Sequence, residues 1–521
     1  MDSLISCCAA AGVGEWVCCP GAMNAPLLQA LACCPEVHRW QLQEERSAAF
    51  FALGRIQATA RAVAVVAGSG SSAAALMPAV IEAYYQRRPL IIITIDSFAP
   101  TEGSGAYGRI EQDSLFGFYA PSVHLQLPCS VGELPDMEAL CSEGFPVHIH
   151  LCCAEGVRCG GGLCHVAEPP APPAFRGSLA ALAQVLRFRA HMGLVLMLGE
   201  LDPLEQEPAL WLARTLRVPV VADATSGLRE KLAPLLLHGA EAILAANPPR
   251  YVLRLGGVPS SAFWSSLEEL PGTEVFSITR SGFSGLKRDS VVMEGDMEQI
   301  MKALGDVPHV GDTDELLPQA RRYAGRMEEL LLSYPESDAS LVRAFSQYAS
   351  LADVVCLGSP SASLLWNRFA QLQAPVLYLR SVSTAGGADG ALSSFLGNAV
   401  DTTFSCALVG DLALLRDLPA AQLVPQLPPG KRIIAILNNE GAGMADTEGL
   451  DAELRQLLVQ PPAFSPQELA RLCHAEYYTI RSEADFEVID TLEDNALAIL
   501  DIQPDPEQSK RLRSHMGRFK Y

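Results

Sequence analysis

Short apolar segments of strand length alternate with longer helix-like segments along this chain. Residues Ala62 to Ala67 and Leu90 to Ile95 are strand-like, and the stretch between them, Ala73 to Tyr85, has the length and composition of a helix. This rhythm is typical of parallel sheets whose crossover helices cover both faces. The pattern therefore predicts an α/β protein built from doubly wound parallel sheets.

Three domains are expected from the length and the breaks in this pattern. A chain of 521 residues exceeds what one hydrophobic core usually serves. The proline-rich segment from Glu168 to Pro173 can continue neither a helix nor a strand, so it marks a linker. A charged, helical stretch from Asp312 to Leu332 separates two later series of strands. We therefore predict doubly wound domains at residues 1–167, 175–308 and 335–521.

Composition restricts the classes of partner. The net charge of −21 argues against nucleic acids and anionic membranes, because both require a basic face. The uncharged run from Ala62 to Ile81 approaches the length of a membrane span, but a glycine–serine cluster and Pro78 interrupt it. We expect a strand, a turn and a helix there, and no membrane partner.

The fifteen cysteines favour a reducing compartment. Several are adjacent pairs within apolar runs, such as Cys7 and Cys8, and adjacent cysteines rarely bridge each other. Since the chain also opens without a signal-peptide pattern, we expect thiols and a cytoplasmic location. One cysteine group has no standard zinc-finger spacing, so we expect no metal there. Its members are Cys152, Cys153, Cys159, Cys164 and His165.

Oxygen-bearing residues follow two strands of the third predicted domain. The strand Cys406 to Val409 runs into Gly410-Asp411-Leu412, and the strand Arg432 to Leu437 runs into Asn438-Asn439-Glu440-Gly441. Carboxyl ends of adjacent parallel strands meet at one sheet edge, where ligands bind. Asp411, Asn439 and the Gly441 carbonyl offer the oxygen ligands that Mg²⁺ prefers, and leave room for a diphosphate and a water. Either motif alone is often only a turn, but the pair in this order resembles the thiamine-diphosphate (ThDP) signature.

A further candidate lies where an extended segment turns into a helix. Glu45 stands at this junction beside Ser47, and Glu44 is the alternative. Acidic residues also favour helix starts for electrostatic reasons alone. ThDP enzymes share a carboxylate that holds a proton at the pyrimidine N1′, and the resemblance implies this role for Glu45.

Nearly the whole chain resembles the family of 2-succinyl-5-enolpyruvyl-6-hydroxy-3-cyclohexene-1-carboxylate (SEPHCHC) synthases. These ThDP-dependent enzymes of menaquinone biosynthesis decarboxylate 2-oxoglutarate and add the remaining unit to isochorismate. The matching segments come from all three domains: Cys19 to Leu27, Glu45 to Gly54, Pro78 to Tyr85, Pro146 to Ile149, Leu253 to Gly257, Gly387 to Gly390 and Gly410 to Leu412.

The resemblance implies pyrimidine-binding, central and diphosphate-binding domains in that order. It implies ThDP and Mg²⁺ as cofactors, a 2-oxo acid and an acceptor as small-molecule ligands, and a homodimer or homotetramer with sites between subunits. Glu45 is the implied catalytic residue, and Asp411, Asn439 and Gly441 are the implied metal ligands. Further implied cofactor contacts are Gly410, Leu412, Met444 and Ala388.

The residues expected to bind the substrates differ from those of the family. Both family substrates carry two carboxylates, which arginine forks bind well, and one charged hydrogen bond contributes about 1.5 to 3 kcal/mol. Arg109, Arg368 and Arg380 lie near lost positions but out of register, so we expect structural or surface roles for them. The family's polar or cationic positions are occupied here by Ala22-Met23, Ser97 to Pro100, Gly108, Ala262-Phe263, Val382-Ser383-Thr384 and Gly358-Ser359-Pro360.

The cofactor half departs at one place. Where this chain has Ala388, the family has a bulky aliphatic residue that props ThDP into its bent form, and Met444 can fill part of the gap.

Three alternatives for the function stay open. The expected one is an active decarboxylase or carboligase using these substrates or a less anionic 2-oxo acid. The others are a noncatalytic homologue and an unrelated nucleotide-binding protein, for which the run from Gly68 to Ser72 lacks the lysine of a phosphate-binding loop.

Overall fold

Three separate parallel sheets form the framework. The computed structural model describes residues 1–517 except 69, 98–103, 106–109, 154–163, 311–314, 374–375, 377, 383, 442–450 and 460. Met444, Gly108, Arg109 and Cys159 therefore lie outside the described residues. Every strand pair in the described sheets is parallel, which confirms the predicted doubly wound α/β class. The domain limits at 1–167, 175–308 and 335–521 stay a prediction.

The first sheet uses residues 15–153 in the strand order β2-β1-β3-β4-β6-β5. Its strands are β1 Glu15–Cys18, β2 His38–Gln41, β3 Val63–Ala67, β4 Leu90–Ser97, β5 Ser122–Leu127 and β6 Val147–Cys153. Its helices are α1 Asp2–Ala10, α2 Ala25–Ala32, α3 Glu45–Thr59, α4 Ser71–Ala75, α5 Met77–Gln86 and α6 Met137–Glu143. The uncharged run at 62–81 is thus a strand followed by two helices.

The middle sheet uses residues 194–294 in the order β11-β10-β9-β7-β8. Its strands are β7 Leu194–Leu198, β8 Val220–Ala222, β9 Tyr251–Leu255, β10 Glu274–Thr279 and β11 Val291–Glu294. Its helices are α7 Ala180–Phe188, α8 Pro203–Leu216, α9 Ala240–Ala246, α10 Ala262–Ser266 and α11 Met297–Leu304. The charged connector forms α12 Leu316–Ser333, which leads to the third sheet.

The third sheet uses residues 354–502 in the order β13-β12-β14-β15-β17-β16. Its strands are β12 Val354–Leu357, β13 Tyr378–Ser381, β14 Phe404–Gly410, β15 Lys431–Leu437, β16 Glu476–Ile480 and β17 Leu497–Ile502. Its helices are α13 Asp338–Ala349, α14 Pro360–Phe369, α15 Ala391–Asn398, α16 Asp411–Leu415, α17 Ala452–Leu458, α18 Pro466–Leu472, α19 Val488–Thr491 and α20 Pro506–Met516.

The first and third sheets share one hydrophobic core. Helix α3 is buried without interruption from Ser47 to Gln57, because its apolar residues surround the helix rather than lining one face. It packs against α15, whose described residues are likewise all buried. The outer faces of these two sheets and the two faces of the middle sheet have cores of their own. Helices α3 and α15 therefore hold the first and third sheets together.

Two expectations about environment can be compared with the described residues. None of their helices combines the length and apolar character needed to cross a bilayer. Among the described cysteines, none forms a disulfide.

Candidate active site

The predicted cation ligands lie at the carboxyl edge of the third sheet. Strand β14 ends at Gly410, and Asp411 is the first residue of α16. Strand β15 is the parallel neighbour of β14, with Gly410 opposite Leu437, so the loop after β15 returns to the same edge. The strand order reverses between β12 and β14, and sheets of this kind bind ligands at such a point.

Backbone amides of both loops hold the Asp411 carboxylate. One oxygen, Oδ2, accepts the N–H of Gly441 at 2.8 Å, and the other accepts the N–H of Leu412 at 2.7 Å. The side chain is only 5% exposed, and burial raises the pKa of Asp411, although the N–H groups of Gly441, Leu412 and Asn439 counteract this. A desolvated carboxylate fixed in this way is well placed for a divalent cation, which would supply compensating charge.

The loop after β15 separates its two asparagines. Asn438 donates from its side-chain amide to Asp501 at 2.9 Å, while the backbone N–H of Asn439 faces Asp411. Glu440 and Gly441 have φ angles of 56° and 72°, so the chain reverses here. Gly441 takes this left-handed conformation without the steric cost of a side chain. The structure thus brings Asp411, Asn439 and Gly441 together, and these oxygen donors fit Mg²⁺.

Glu44 and Glu45 have different environments. The Glu44 carboxylate caps α3 by accepting the N–H of Ser47 at 2.7 Å, and it lies 3.9 Å from Nε of Arg46. Glu45 is half-buried, and its carboxylate has no hydrogen bond or ion pair within the described part of the chain. The sequence left both residues open. The geometry favours Glu45 as the residue available to a ligand.

Residues following Glu45 fix the start of α3 against the third sheet's helices. Arg46 lies 3.3 Å from the Asp389 carboxylate and donates to the carbonyl oxygen of Arg416. The Ser47 hydroxyl donates to Asp417 at 2.7 Å, and Asp417 also accepts the N–H and the hydroxyl of Ser393. Asp417 is fully buried, and burial raises its pKa. The start of α3 is therefore tied both to α15 and to the segment just after α16.

Sequence reasoning missed Asp417 and Ser393. Neither belongs to a recognised motif, and each acquires its role only when α3, α15 and α16 meet. The only hint of this arrangement in the sequence was Ser47, which lies beside the candidate glutamates. Buried carboxylates of this kind need several donors, and here Ser47 and Ser393 provide them.

The remaining predicted cofactor contacts border this region. Ala388 is half-buried against the shared core, directly before Asp389. Leu412 is 36% exposed on the first turn of α16, and Gly410 lies close to the Ser359 hydroxyl that caps α14. Met444 lies outside the described residues.

The arginines considered as replacements have other partners. Arg380 is 3% exposed, donates to the carbonyl oxygen of Gln57 at 3.0 Å and faces Asp202 at 3.5 Å. Arg368 forms an ion pair with Glu241 at 3.1 Å. Phe263 is packed in the core of the middle sheet. These contacts agree with structural roles for Arg380 and Arg368, while Arg109 lies outside the described residues.

Comparison with known proteins gives the same assignment over nearly the full length. The sequence profile of the thiamine pyrophosphate enzyme, N-terminal TPP binding domain, matches residues 1–115. A protein of Akkermansia muciniphila named 2-succinyl-5-enolpyruvyl-6-hydroxy-3-cyclohexene-1-carboxylate synthase is 47% identical over 99% of this chain and 98% of its own length. Proteins of the same name from Bdellovibrio bacteriovorus and Synechococcus elongatus are 31% and 28% identical, covering 82% and 96% of this chain and 82% and 92% of their own. The chain therefore belongs to the SEPHCHC synthase family of ThDP-dependent enzymes.

Proposed function

We propose that this protein is a SEPHCHC synthase, which decarboxylates 2-oxoglutarate with ThDP and Mg²⁺ and adds the resulting four-carbon unit to isochorismate. The observation that carries the proposal is that the chain presents both carboxylates that a ThDP site requires. Asp411 is held at the edge of the third sheet, and the Glu45 carboxylate has no partner among the described residues. The 47% identical relative with this name supports the same activity.

Each residue has a distinct task in the proposed site. Asp411, Asn439 and the Gly441 carbonyl would hold Mg²⁺ beside the diphosphate of the cofactor. Glu45 would hold a proton at the pyrimidine N1′, because its carboxylate faces no competing donor among the described residues. When bound, ThDP would supply a nucleophilic carbon and an adjacent cationic ring that accepts the electron pair left by loss of carbon dioxide. The Ser47–Asp417–Ser393 contacts keep Glu45 in place during this chemistry.

A second candidate uses a less anionic 2-oxo acid. The specific observation is the loss of the family's cationic positions, for example at Met23, together with the commitment of Arg380 to Asp202. A dianionic substrate without an arginine fork loses charge-assisted hydrogen bonds. Pyruvate, with one carboxylate, would place a smaller demand on the site.

The experiment has two steps. Thermal unfolding is followed with and without ThDP and Mg²⁺, because a ligand at about 100 times its dissociation constant stabilises by about 2.7 kcal/mol. Release of carbon dioxide is then measured from 2-oxoglutarate and from pyruvate, and product formation is measured with isochorismate. Turnover of 2-oxoglutarate and isochorismate supports the synthase, and turnover of pyruvate alone supports the second candidate. Absence of any thermal shift overturns the cofactor assignment, and binding without turnover indicates a noncatalytic homologue.

Assembly and location belong to the same proposal. We infer from the family resemblance a cytoplasmic homodimer or homotetramer whose sites lie between subunits. Light scattering on the eluting protein measures the mass directly, with and without ThDP. A monomer that binds ThDP with full activity would contradict the shared site.

A further inference from the structure

We propose that His124, His150 and Cys152 bind a divalent transition-metal ion, with zinc the best fit. These residues belong to the first sheet. The proposal concerns a cation separate from the Mg²⁺ of the third sheet, and it does not depend on the proposed function.

The sheet register brings the three residues onto one face. Strand β6 lies between β4 and β5, and His124 of β5 is directly opposite His150 of β6. Cys152 follows His150 by two residues in the same strand, so both side chains lie on the same face. One ring nitrogen of each histidine and the cysteine sulfur lie within 4.8 Å of one another. Small side-chain rotations would bring these atoms to the spacing of ligands on one ion.

Two histidines and one thiolate are ligand types that zinc accepts, and a water can complete the tetrahedral set. Asp113 lies beside His124, with a carboxylate oxygen 3.5 Å from Nε2 of that ring. His124 is exposed whereas His150 is 3% exposed, which gives the ion access from solvent to a partly buried site.

A hydrogen-bond chain fixes the orientation of His150. Thr94 Oγ1 lies 2.9 Å from His150 Nδ1 and 2.8 Å from His148 Nε2, and His148 Nδ1 lies 3.1 Å from the Ser122 hydroxyl. One assignment satisfies every group: His150 Nδ1–H donates to Thr94, Thr94 donates to His148, and His148 Nδ1–H donates to Ser122. Nε2 of His150 then carries a lone pair for a metal. Metal-binding histidines are commonly oriented through the other ring nitrogen in this way.

The cysteine group considered from sequence divides in the structure. Cys152 lies with the two histidines, whereas Cys164 contacts Cys34 and His165 lies 3.1 Å from Glu36. The sequence suggested no metal because the proposed partners of Cys152 are brought near it by the sheet register rather than by a short spacing along the chain. Strand β5 is the edge strand, so a bound ion would attach this edge to β6.

The test is metal binding by the full-length protein. The chain is stripped with a chelator, kept in excess Mg²⁺, and titrated with Zn²⁺ by calorimetry and with Co²⁺ by absorption. We expect one zinc ion per chain and a sulfur-to-cobalt charge-transfer band. Thr94→Val removes only the partner that orients His150, and it should weaken zinc binding by roughly 10- to 100-fold. His124→Gln and Cys152→Ser each remove a ligand, and they should weaken zinc binding by more than that.

Matched variants separate this site from other thiols and from the Mg²⁺ site. Cys153→Ser changes the next residue of β6, on the opposite face, and should leave zinc affinity unchanged. Asp411→Ala should also leave it unchanged. Cys152→His should retain zinc but lose the charge-transfer band. Circular dichroism verifies that each variant folds. Because His124 is exposed, His124→Gln changes no buried side chain and should leave the fold intact. Absence of zinc binding, or equal affinity in His124→Gln and the parent, would overturn the proposal.

Discussion

At the scale of residues, identical side chains acquire different roles from their surroundings. Glu44 and Glu45 are adjacent, yet one completes the hydrogen bonding of a helix start and the other has no partner among the described residues. Helix caps stabilise by roughly 0.5 to 2 kcal/mol, whereas a carboxylate left without a partner is available for a ligand. The adjacent pair therefore provides its own matched control.

Glu45→Gln should abolish turnover, because an amide cannot hold the proton at N1′, and ThDP affinity should stay within a few-fold. Glu44→Gln should retain turnover and lose about 1 kcal/mol of stability through the weakened cap. Steady-state kinetics and ThDP titration of both variants measure these effects. Loss of turnover in Glu44→Gln with activity retained in Glu45→Gln would exchange the two roles.

Asp223 provides a pH-dependent prediction. It is 8% exposed and accepts the N–H of Ser260 at 2.7 Å, and burial raises its pKa to about 6. A raised folded-state pKa means that this group contributes its full stability below its unfolded pKa and loses it as pH rises through about 6. Asp223→Asn imitates the protonated acid. It should therefore raise the free energy of unfolding at about pH 8 by at most roughly 3 kcal/mol, measured as a higher thermal midpoint, and leave the midpoint nearly unchanged at about pH 4. Equal effects at both pH values would contradict this assignment.

At the scale of elements, the contact between α3 and α15 depends on backbone rather than side chains. A Cβ atom at Gly54 would lie 2.3 Å from the carbonyl oxygen of Ser394, and one at Gly397 would lie 2.4 Å from that of Phe51. Gly390 has a φ of 69° and lies against the Phe50 ring. Neither carbonyl can move without displacing a helix. The backbones of α3 and α15 are therefore in direct contact, at a spacing that a side chain at either Gly54 or Gly397 would not allow.

Gly54→Ala should lower the thermal midpoint by an amount corresponding to about 1 to 3 kcal/mol, since overpacking forces the helices apart. Gly325→Ala in α12 is the matched control, because no atom lies within 4 Å of a Cβ built there. That variant should gain about 0.5 to 1 kcal/mol from helix propensity. Thermal unfolding of both compares the same chemical change at two sites. A stabilising effect at Gly54 would contradict close packing.

The helices and strands were largely predictable from sequence, and so was the edge of the third sheet at which a cation is expected to bind. Alternating apolar strands and helices lead to the doubly wound class because both faces of a parallel sheet must be covered. Asp411 and Asn439 follow adjacent strands, so local order was enough to bring them together. Asp417 and His124 were not predictable, since their partners are brought near by helix packing and by strand order. Such partners leave no pattern in the nearby sequence.

At the scale of the whole molecule, one carboxylate that is 14% exposed connects residues from the regions of all three sheets. Asp202 precedes α8 in the middle sheet, and Arg88 from the first sheet's region donates to both its oxygens at 2.8 and 3.0 Å. Arg280 also donates to Asp202, and Arg380 of β13 lies 3.5 Å away. Burial alone would raise the pKa of Asp202, but the guanidiniums of Arg280, Arg88 and Arg380 hold it well below its ordinary value. This cluster joins the three sheets electrostatically.

Asp202→Asn should destabilise the protein by up to about 3 to 5 kcal/mol, because it removes the charged partner of the buried Arg88 and Arg380 guanidiniums and leaves Glu200, 3.6 Å from Arg88, as the remaining acid. Glu298→Gln, which breaks an exposed pair with Lys302, should have little effect. Because the folded-state pKa of Asp202 is depressed, its contribution is present above the unfolded pKa and is lost as pH falls. The difference in thermal midpoint between the parent protein and Asp202→Asn should therefore become smaller under strongly acidic conditions. A deficit independent of pH would contradict the ionic origin.

The backbone contact between α3 and α15 has a consequence for how this enzyme can diversify. Gly54 and Gly397 set the spacing of the two helices and with it the position of the start of α3 relative to the third sheet. Ala22 and Met23, where the sequence predicts a departure from the family, lie in the loop after β1, outside this contact. We therefore expect substitutions in that loop to leave the packing of the two helices intact. Libraries that randomise the loop and keep the two glycines would test new 2-oxo acids on an unchanged helix framework.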